Sequence, residues 1–220
     1  LSQQCAKSAH DQFLNDLASI LPPNVTPLIL SDAGFKVPWF KSVEAHGWFW
    51  LSRIRGKVQF AAIGSDKWKP ISKLYTQASS RPKTLGYKKL TKSNPIHCHM
   101  ALYKSLPKGR KCQRSTRTNC HHPSSTVYSV ANKEPWVLAT NLPPTARTPK
   151  QLVNLYAKRM QIEETFRDLK SPAYGLGLRQ SRTNSPERFD IILLIALMLQ
   201  LMFWLAGLHA IQQGWDRHFQ

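Results

Sequence analysis

Residues 151–170 read Gln-Leu-Val-Asn-Leu-Tyr-Ala-Lys-Arg-Met-Gln-Ile-Glu-Glu-Thr-Phe-Arg-Asp-Leu-Lys, and this segment decides the fold. It contains no glycine or proline and is rich in residues that favour helices, so it predicts one long helix. Thr148 and Pro149 precede it as an N-cap and a proline at the first helical position. We therefore expect the helix to begin there.

One side of this helix carries four polar groups. At about 100° per residue, an arc of about 60° holds Tyr156, Arg159, Glu163 and Lys170. Apolar residues in the adjoining arc are expected to face the core: Leu155, Ile162, Phe166 and Leu169. A carboxylate flanked by phosphate-binding groups suits a metal site that acts on a phosphodiester. The simpler alternative is an amphipathic surface helix with solvated charges.

A second candidate group lies near the amino terminus. Residues 28–35 read Leu-Ile-Leu-Ser-Asp-Ala-Gly-Phe, and the apolar run predicts a strand over residues 26–31. Asp32 then stands at the carboxyl end of a strand, where α/β folds present reactive groups. The alternative is that Asp32 is a helix N-cap or a turn residue.

The two motifs together resemble a known family. The spacing Tyr-x2-Arg-x3-Glu-x6-Lys, which Tyr156, Arg159, Glu163 and Lys170 match without a gap, resembles the signature of DDE transposases of the insertion sequence four family. Asp32 and its strand resemble the second catalytic aspartate of that family. The surrounding sequence looks closest to the insertion-sequence-ten branch, and the resemblance covers essentially the whole chain.

The resemblance implies an α/β fold of the RNase H-like type, with a mixed central sheet and helices on both sides. By this reading, residues 1–55 form a partial core with Asp32. Residues 56–144 form a β-rich basic insertion, and residues 145–220 form the carboxyl-terminal helices with Glu163. The remaining elements expected from the sequence pattern are helices over residues 4–20 and 37–46 and strands over residues 48–54 and 135–140.

The resemblance also implies cut-and-paste transposition by phosphoryl transfer without a covalent protein intermediate. Asp32 and Glu163 would be the catalytic metal ligands, with Mg2+ as the cofactor and Mn2+ as a substitute. Two ions would activate the attacking oxygen and stabilise the leaving one. Water would nick one strand at the transposon end. The freed 3′-OH would then form a hairpin, which is reopened before the 3′-OH attacks target DNA.

Further residues are expected to bind DNA. By resemblance, Tyr156, Arg159 and Lys170 would hold phosphates near the scissile bond, and Arg167 lies close to them on the same helix. Trp136 matches the family's tryptophan that stacks on a base flipped out near the transposon end. The alternative for Trp136 is an ordinary core tryptophan.

The net charge of the chain also favours a nucleic-acid partner. The chain has 31 Lys and Arg against 12 Asp and Glu, a net charge of +19, which favours a polyanionic partner. DNA is the first candidate and an anionic membrane surface the second. A dense basic loop is expected to bind along the phosphates of DNA, and the alternative is a flexible solvated loop. Its basic residues are Lys104, Lys108, Arg110, Lys111, Arg114 and Arg117. By resemblance, a homodimer would pair two double-stranded transposon ends and join them to target DNA.

Cysteine usage favours a reducing compartment. Four scattered cysteines are too few for a disulfide framework, so a reducing, cytoplasmic setting fits better. The resemblance implies that the protein is bacterial and associates with the nucleoid. The His97-Cys98-His99 run and the segment from Cys112 to His122 do not have the paired spacing of a zinc site. Polar loop residues are the preferred interpretation.

The last segment is strongly apolar. Asn184, Ser185 and Pro186 predict a helix start, and the run from Ile191 to Leu208 is long enough to raise the question of a membrane span. We expect instead a helix buried beneath the central sheet and no membrane. The alternative is a basic membrane-associated protein anchored by this helix.

The family pattern needs a third carboxylate. Its first aspartate belongs on a strand upstream of Asp32, and no candidate strand precedes Cys5 in this sequence. We therefore expect a fragment that lacks the amino-terminal part, binds DNA weakly and does not transpose by itself. The alternative is a catalytically inactive DNA-binding remnant of a transposase.

Overall fold

The computed structural model describes residues 3–105, 134–173, 175–215 and 217. The chain forms two compact units, residues 1–159 and residues 160–220. The elements of the first unit are α1 Gln3–Ile20, β1 Leu28–Ser31, α2 Val37–Ala45, β2 Phe49–Ile54, β3 Gln59–Ala62, β4 Lys69–Pro70, a 3-10 helix Ile71–Gln77, β5 Lys83–Leu90, β6 Ile96–Tyr103, β7 Trp136–Thr140 and α3 Pro149–Lys158. The elements of the second unit are α4 Met160–Lys170, a 3-10 helix Leu178–Ser181 and α5 Pro186–Gln212.

A mixed sheet of seven strands forms the centre of the first unit. Its strand order is β1-β2-β7-β6-β5-β3-β4. The strands β1 and β2 are parallel, with Ser31 opposite Ser52, and the other described pairs are antiparallel. Because parallel neighbours require a crossover, α2 connects β1 to β2. The mixed sheet with its helices agrees with the expected α/β class, and the strands within the expected insertion, β3 to β7, belong to the same sheet as β1 and β2.

Both faces of this sheet are buried. Side chains of a strand alternate between the two faces, so Trp50 and Leu51 of β2 belong to different core clusters. The Trp50 cluster includes residues of α1 and α2, such as Leu14 and Phe40, whereas the Leu51 cluster includes residues of α3, such as Leu152. Helices on two sides of the sheet explain why the sequence of its central strands is apolar at consecutive positions.

The predicted long helix is two helices. Its expected start is confirmed, because Thr148 and Gln151 form a reciprocal capping box and Pro149 follows as the first helical residue. The prediction of one continuous helix is wrong, since α3 ends at Lys158 and α4 begins at Met160. The Arg159 amide donates to the Tyr156 carbonyl at 3.1 Å, an i to i−3 bond that tightens the last turn of α3.

The expected core stripe of this segment is also wrong in part. Leu155 and Leu169 are half-buried, but Ile162 and Phe166 are 53% and 52% exposed. The buried side chains of α3 are Leu152, Val153 and Tyr156. Because the helix is interrupted after Lys158, the helical repeat of apolar residues does not continue in one direction to residue 170. The residues that are buried are those of α3 that pack on the sheet.

Helix α5 begins as expected and is largely exposed. The Ser185 hydroxyl accepts from the Arg188 amide, and Pro186 is the first helical residue. The expected burial of this helix is not observed, since Ala196 is the one buried residue among its described side chains. It is apolar around its whole circumference, and the two other helices of its unit, with 11 and 4 residues, are too short to cover 27 residues. By length and apolar composition alone this helix could span a membrane. Core helices of soluble proteins can have the same length and composition.

The cysteine and histidine residues that raised the question of zinc are partly described. Cys98 is buried and free, and burial raises the pKa of its thiol to about 12. His99 is buried beside the Thr84 hydroxyl at 2.8 Å, while His97 is exposed. Within the described ranges no three metal-binding side chains form a group. The remaining positions of these motifs and of the basic loop lie outside the described residues: Lys108, Arg110, Lys111, Cys112, Arg114, Arg117, Cys120, His121 and His122.

Candidate active site

Asp32 lies at the carboxyl end of β1, as the sequence predicted. It is exposed, and its backbone carbonyl accepts a hydrogen bond from the Ser52 hydroxyl on the neighbouring strand at 3.1 Å. Its Oδ1 accepts from the Gly34 amide at 2.8 Å, which fixes the carboxylate in an Asx turn. Both contacts hold Asp32 at the end of a parallel pair of strands, where the adjacent turns leave it accessible.

Gly34 is needed for this turn because the carboxylate passes very close to its backbone. A Cβ atom at position 34 would lie 2.9 Å from Oδ1 of Asp32, a distance that side-chain carbons essentially never adopt. A larger residue would therefore displace the carboxylate. The sequence Asp-Ala-Gly thus specifies the position of the carboxylate as well as the turn.

An aromatic and cationic cluster lies in the same unit. Tyr156 is 4% exposed, and its ring meets that of Trp136 edge-on with the centroids 5.2 Å apart. The Arg159 guanidinium lies 5.7 Å from the centre of the Tyr156 ring. Burial raises the pKa of Tyr156, the charges of Arg159 and Arg53 oppose the rise, and the negative charge of Asp32 adds to it. Asp32 is therefore within electrostatic reach of the Tyr156 hydroxyl.

Trp136 is half-buried at the start of β7. Besides Tyr156, its ring contacts Tyr103 edge-on at 5.9 Å, and the Arg53 guanidinium lies 6.0 Å from its centre. These neighbours fix the plane of the indole. The expected stacking on a flipped base needs an accessible face of the ring, whereas an ordinary core tryptophan would be buried. Half-burial of Trp136 leaves part of the ring accessible.

The sequence reasoning missed Arg53. This residue lies on β2 directly after Ser52, which is opposite Ser31, so it is level with Asp32, and its side chain is 14% exposed. Its Nη2 donates to the Glu134 carbonyl at 3.2 Å, and its buried Nε has no hydrogen-bond partner among the described residues. Burial lowers the pKa of Arg53, although a guanidinium stays ionised in proteins. The guanidinium therefore places a positive charge beside Trp136, which is complementary to a phosphate oxygen.

Glu134 holds this cluster together. Its carboxylate is bound by Arg55, lies 3.5 Å from Arg53, and accepts a hydrogen bond of 2.5 Å from the Tyr75 hydroxyl. Burial and this hydrogen bond raise the pKa of Tyr75. One carboxylate, two positions before β7, therefore contacts side chains of β2, of the residue after β2 and of the 3-10 helix Ile71–Gln77. No local sequence pattern indicates these contacts, which join residues 59 to 81 positions apart.

Replacing Glu134 by glutamine is expected to destabilise the protein by about 1–3 kcal/mol, because hydrogen bonds to charged groups are lost while two guanidinium groups keep their charge. Urea unfolding monitored by circular dichroism measures this loss. Tyr75→Phe is the matched control, since it removes one hydrogen bond and leaves the ion pairs, and it should cost about 1 kcal/mol. An unfolding free energy of Glu134→Gln equal to that of the wild type would contradict this role.

The second unit places three predicted residues on one side of α4. Glu163, Arg167 and Lys170 line a cavity of about 620 Å3 together with Phe166. The Lys170 ammonium lies 5.7 Å from the centre of the Phe166 ring, and Arg167 lies 3.5 Å from Asp168. Within α4, one carboxylate and two cations therefore share a cavity. The predicted arc also held Tyr156 and Arg159, which lie before the interruption of the helix. Asp32, Trp136, Tyr156 and Arg159 belong to the first unit, and the roles of all seven predicted residues stay predictions.

The donor chemistry of the predicted metal ligands fits a divalent cation. Asp32 and Glu163 provide carboxylate oxygens, the hard ligands that Mg2+ and Mn2+ prefer. A carboxylate has about four lone-pair positions, so the single hydrogen bond from Gly34 to Asp32 leaves acceptor capacity for a cation.

Comparison with known proteins identifies the family. The family model of the transposase DDE domain matches residues 1–201, which is 201 of the 220 residues. The match includes both candidate carboxylates and the four residues of the Tyr-Arg-Glu-Lys spacing. A search of curated proteins found no match. The chain therefore belongs to the transposase DDE domain family, whose members carry out DNA transposition.

Proposed function

We propose that this transposase domain carries out cut-and-paste transposition of an insertion sequence, and that it belongs to the insertion sequence four family near the insertion-sequence-ten branch. The observation that carries the proposal is the cluster in the first unit. There, the exposed Asp32 follows β1 next to β2, and the Arg53 guanidinium of β2 lies 6.0 Å from the centre of the Trp136 ring. That ring in turn meets the buried Tyr156 edge-on, with the Arg159 guanidinium on the Tyr156 ring. Such a surface binds a phosphodiester backbone and places it near a metal ligand.

Asp32 and Glu163 are the proposed ligands of Mg2+, for which Mn2+ is a substitute. When bound, the ions activate the attacking oxygen and stabilise charge on the leaving oxygen. The protein's own contribution is to hold the carboxylates and the DNA in place. In this scheme the Gly34 amide and the Ser52 hydroxyl keep Asp32 at the strand end, which supports its role as a ligand.

The cations and aromatic residues are proposed to position the DNA strand. Arg159 and Arg53 bind phosphate oxygens, with Tyr156 as a further donor, and Trp136 stacks on an extruded base. The half-buried indole, oriented by Tyr103 and Tyr156, supports the stacking role. On α4, Arg167 and Lys170 bind phosphates beside Glu163, which is supported by the cavity that these three side chains share.

We further propose an RNase H-like fold in which residues 56–144 form the insertion, and a homodimer that pairs two transposon ends and joins them to target DNA. The mixed sheet and the family match support the fold. The net charge of +19 supports a protein that remains with the nucleoid in the cytoplasm. The reactions are strand nicking, hairpin formation and transfer to target DNA, as expected from the resemblance.

A binding experiment with hairpin-ended and blunt duplexes of equal length tests the proposal. Arg53→Gln is expected to weaken binding of both duplexes by roughly fivefold or more at 0.1 M salt and to lower the slope of log affinity against log salt by about 1, because one phosphate contact is lost. Trp136→Ala should weaken mainly the hairpin complex, whose end bases are unpaired.

The matched control is Arg147→Gln, which removes an exposed guanidinium whose described contact is with the adjacent Ala146 carbonyl. This variant should bind both duplexes like the wild type. Equal affinities of Arg53→Gln and the wild type, or equal losses in Arg53→Gln and Arg147→Gln, would contradict the proposed phosphate site.

A further inference from the structure

A groove of about 970 Å3 opens in the first unit beside the segment that follows Asp32. Three stretches line it: residues 35–40 at the start of α2, residues 54–59 between β2 and β3, and residues 90–94 between β5 and β6. Its volume is at the upper end of the roughly 300–1,000 Å3 typical of ligand pockets. Apart from Arg55, which binds Glu134, its residues have no part in the cluster described above.

The groove has an apolar floor. Val37, Phe40, Ile54 and Leu90 line it and are each at most 4% exposed, since they also belong to the core. Because these four side chains expose little surface, a ligand would contact mainly the half-buried Phe35 and Val58 and the exposed Pro38, which also line the groove. A floor of this kind favours the flat apolar faces of a ligand over a hydrated ion.

The rim of the groove is cationic. Lys36, Lys57 and Lys92 are exposed and come from the three different stretches. The charge of Arg55, which also lines the groove, is paired with Glu134. None of the described residues that line the groove carries a carboxylate. The rim is therefore complementary to a ligand with several negative charges, such as a chain of phosphates.

Hydrogen bonds between the walls form the groove in advance of any ligand. The Thr91 amide donates to the Gln59 carbonyl at 2.8 Å, and Lys41 donates to Asn94 Oδ1 at 2.6 Å. Gly56 and Thr91 have φ values of +72° and +63°, which turn the chain sharply at two of the walls. A preformed groove loses little conformational freedom when it binds.

An unpaired nucleic-acid strand has the chemistry that matches this floor and rim. Its bases are free to contact apolar surface while its phosphates meet the lysines, whereas the bases of a duplex are already stacked on one another. The groove also adjoins the proposed DNA site. Phe35 follows Asp32 by three residues, and the Arg55 side chain of the rim binds the same Glu134 that holds Arg53.

We propose that this groove binds an unpaired stretch of DNA that continues from the strand held at Asp32 and Arg53. The proposal rests on the proposed function, because it takes DNA as the substrate. The groove would hold a strand that is separated from its complement when a transposon end is opened, and the bases would lie on the apolar floor with the backbone along Lys57 and Lys92.

Fluorescence anisotropy with a labelled thymidine oligonucleotide tests the groove. The double variant Lys57→Ala/Lys92→Ala should bind this single strand roughly tenfold more weakly at 0.1 M salt, and the salt slope should fall by about 1.4, since each lost phosphate contact on a single strand contributes about 0.7. An abasic oligonucleotide of the same length should bind the wild type at least about fivefold more weakly than the thymidine strand, because it lacks the bases.

The control Lys67→Ala/Lys73→Ala removes two exposed lysines that do not line the groove, and it should bind like the wild type. Equal losses in the two double variants, wild-type affinity of Lys57→Ala/Lys92→Ala, or equal binding of the abasic and thymidine strands would each overturn the proposal. Thermal unfolding of each variant confirms that the fold is kept. Duplex binding by Arg53→Gln tests the proposed function separately. If Arg53→Gln weakens duplex binding but Lys57→Ala/Lys92→Ala does not weaken single-strand binding, the groove proposal is contradicted and the proposed function is not.

Discussion

Replacing Asp32 by asparagine is expected to weaken Mn2+ binding by about 100-fold. The change removes a negative ligand, and even groups that only support metal ligands contribute 10–100-fold to metal affinity. The substitution is well matched, because the asparagine Oδ1 can still accept the hydrogen bond from the Gly34 amide and keep the Asx turn. Electron paramagnetic resonance of free Mn2+ during a titration measures the affinity without requiring DNA cleavage.

Two further variants make this measurement specific. Glu163→Gln should weaken Mn2+ binding to a similar extent, because it removes the other proposed ligand. Asp66→Asn should leave it unchanged, since the Asp66 side chain is 96% exposed and is paired with Lys89 at 3.1 Å. If Asp32→Asn and Asp66→Asn had the same affinity for Mn2+ as the wild type, Asp32 would not be a metal ligand.

Replacing Trp50 by alanine is expected to lower the free energy of unfolding by about 3–5 kcal/mol, a large share of the 5–15 kcal/mol typical of a domain. Trp50 is fully buried on β2, and its ring stacks on Phe40 with the centroids 4.3 Å apart. Its indole N–H donates to Glu44 Oε1 at 2.9 Å, so the substitution both opens a cavity and removes a hydrogen bond. Urea unfolding monitored by circular dichroism measures the loss.

Two controls accompany the Trp50 measurement. Trp215→Ala removes an indole that is 53% exposed and should change stability by no more than about 0.5 kcal/mol. Trp50→Phe keeps most of the ring and should cost less than the alanine substitution, which matters if Trp50→Ala does not fold. Equal effects of Trp50→Ala and Trp215→Ala would show that β2 is not the centre of the core.

Local sequence signals predicted the elements that local chemistry determines. The apolar run before Asp32 forms β1, and the carboxylate stands at the end of that strand. The side chains of Thr148 and Gln151 meet within one helical turn, so the start of α3 could be predicted without knowledge of tertiary contacts. The Tyr-Arg-Glu-Lys spacing likewise pointed to a DDE transposase, and the comparison confirms the transposase DDE domain family.

Features that depend on distant contacts could not be predicted in this way. No glycine or proline marks the end of α3 at Lys158, so no local signal predicts the interruption. Tyr156 was assigned to a polar arc, yet it is buried because its ring packs against Trp136 on β7. Arg53 and Glu134 are 81 positions apart, and their contact arises from the order of strands in the sheet. The catalytic roles of Asp32 and Glu163 stay predictions.

The position of β7 in the sheet has a consequence for how the protein is made. This strand lies between β2 and β6, although it follows both of them in the chain. Until residues 136–140 leave the ribosome, β2 and β6 each have one edge without the strand that pairs with it in the finished sheet. Unpaired edges of apolar strands are sites of aggregation, so nascent chains that stall before Trp136 should depend on chaperones more than chains that have passed it.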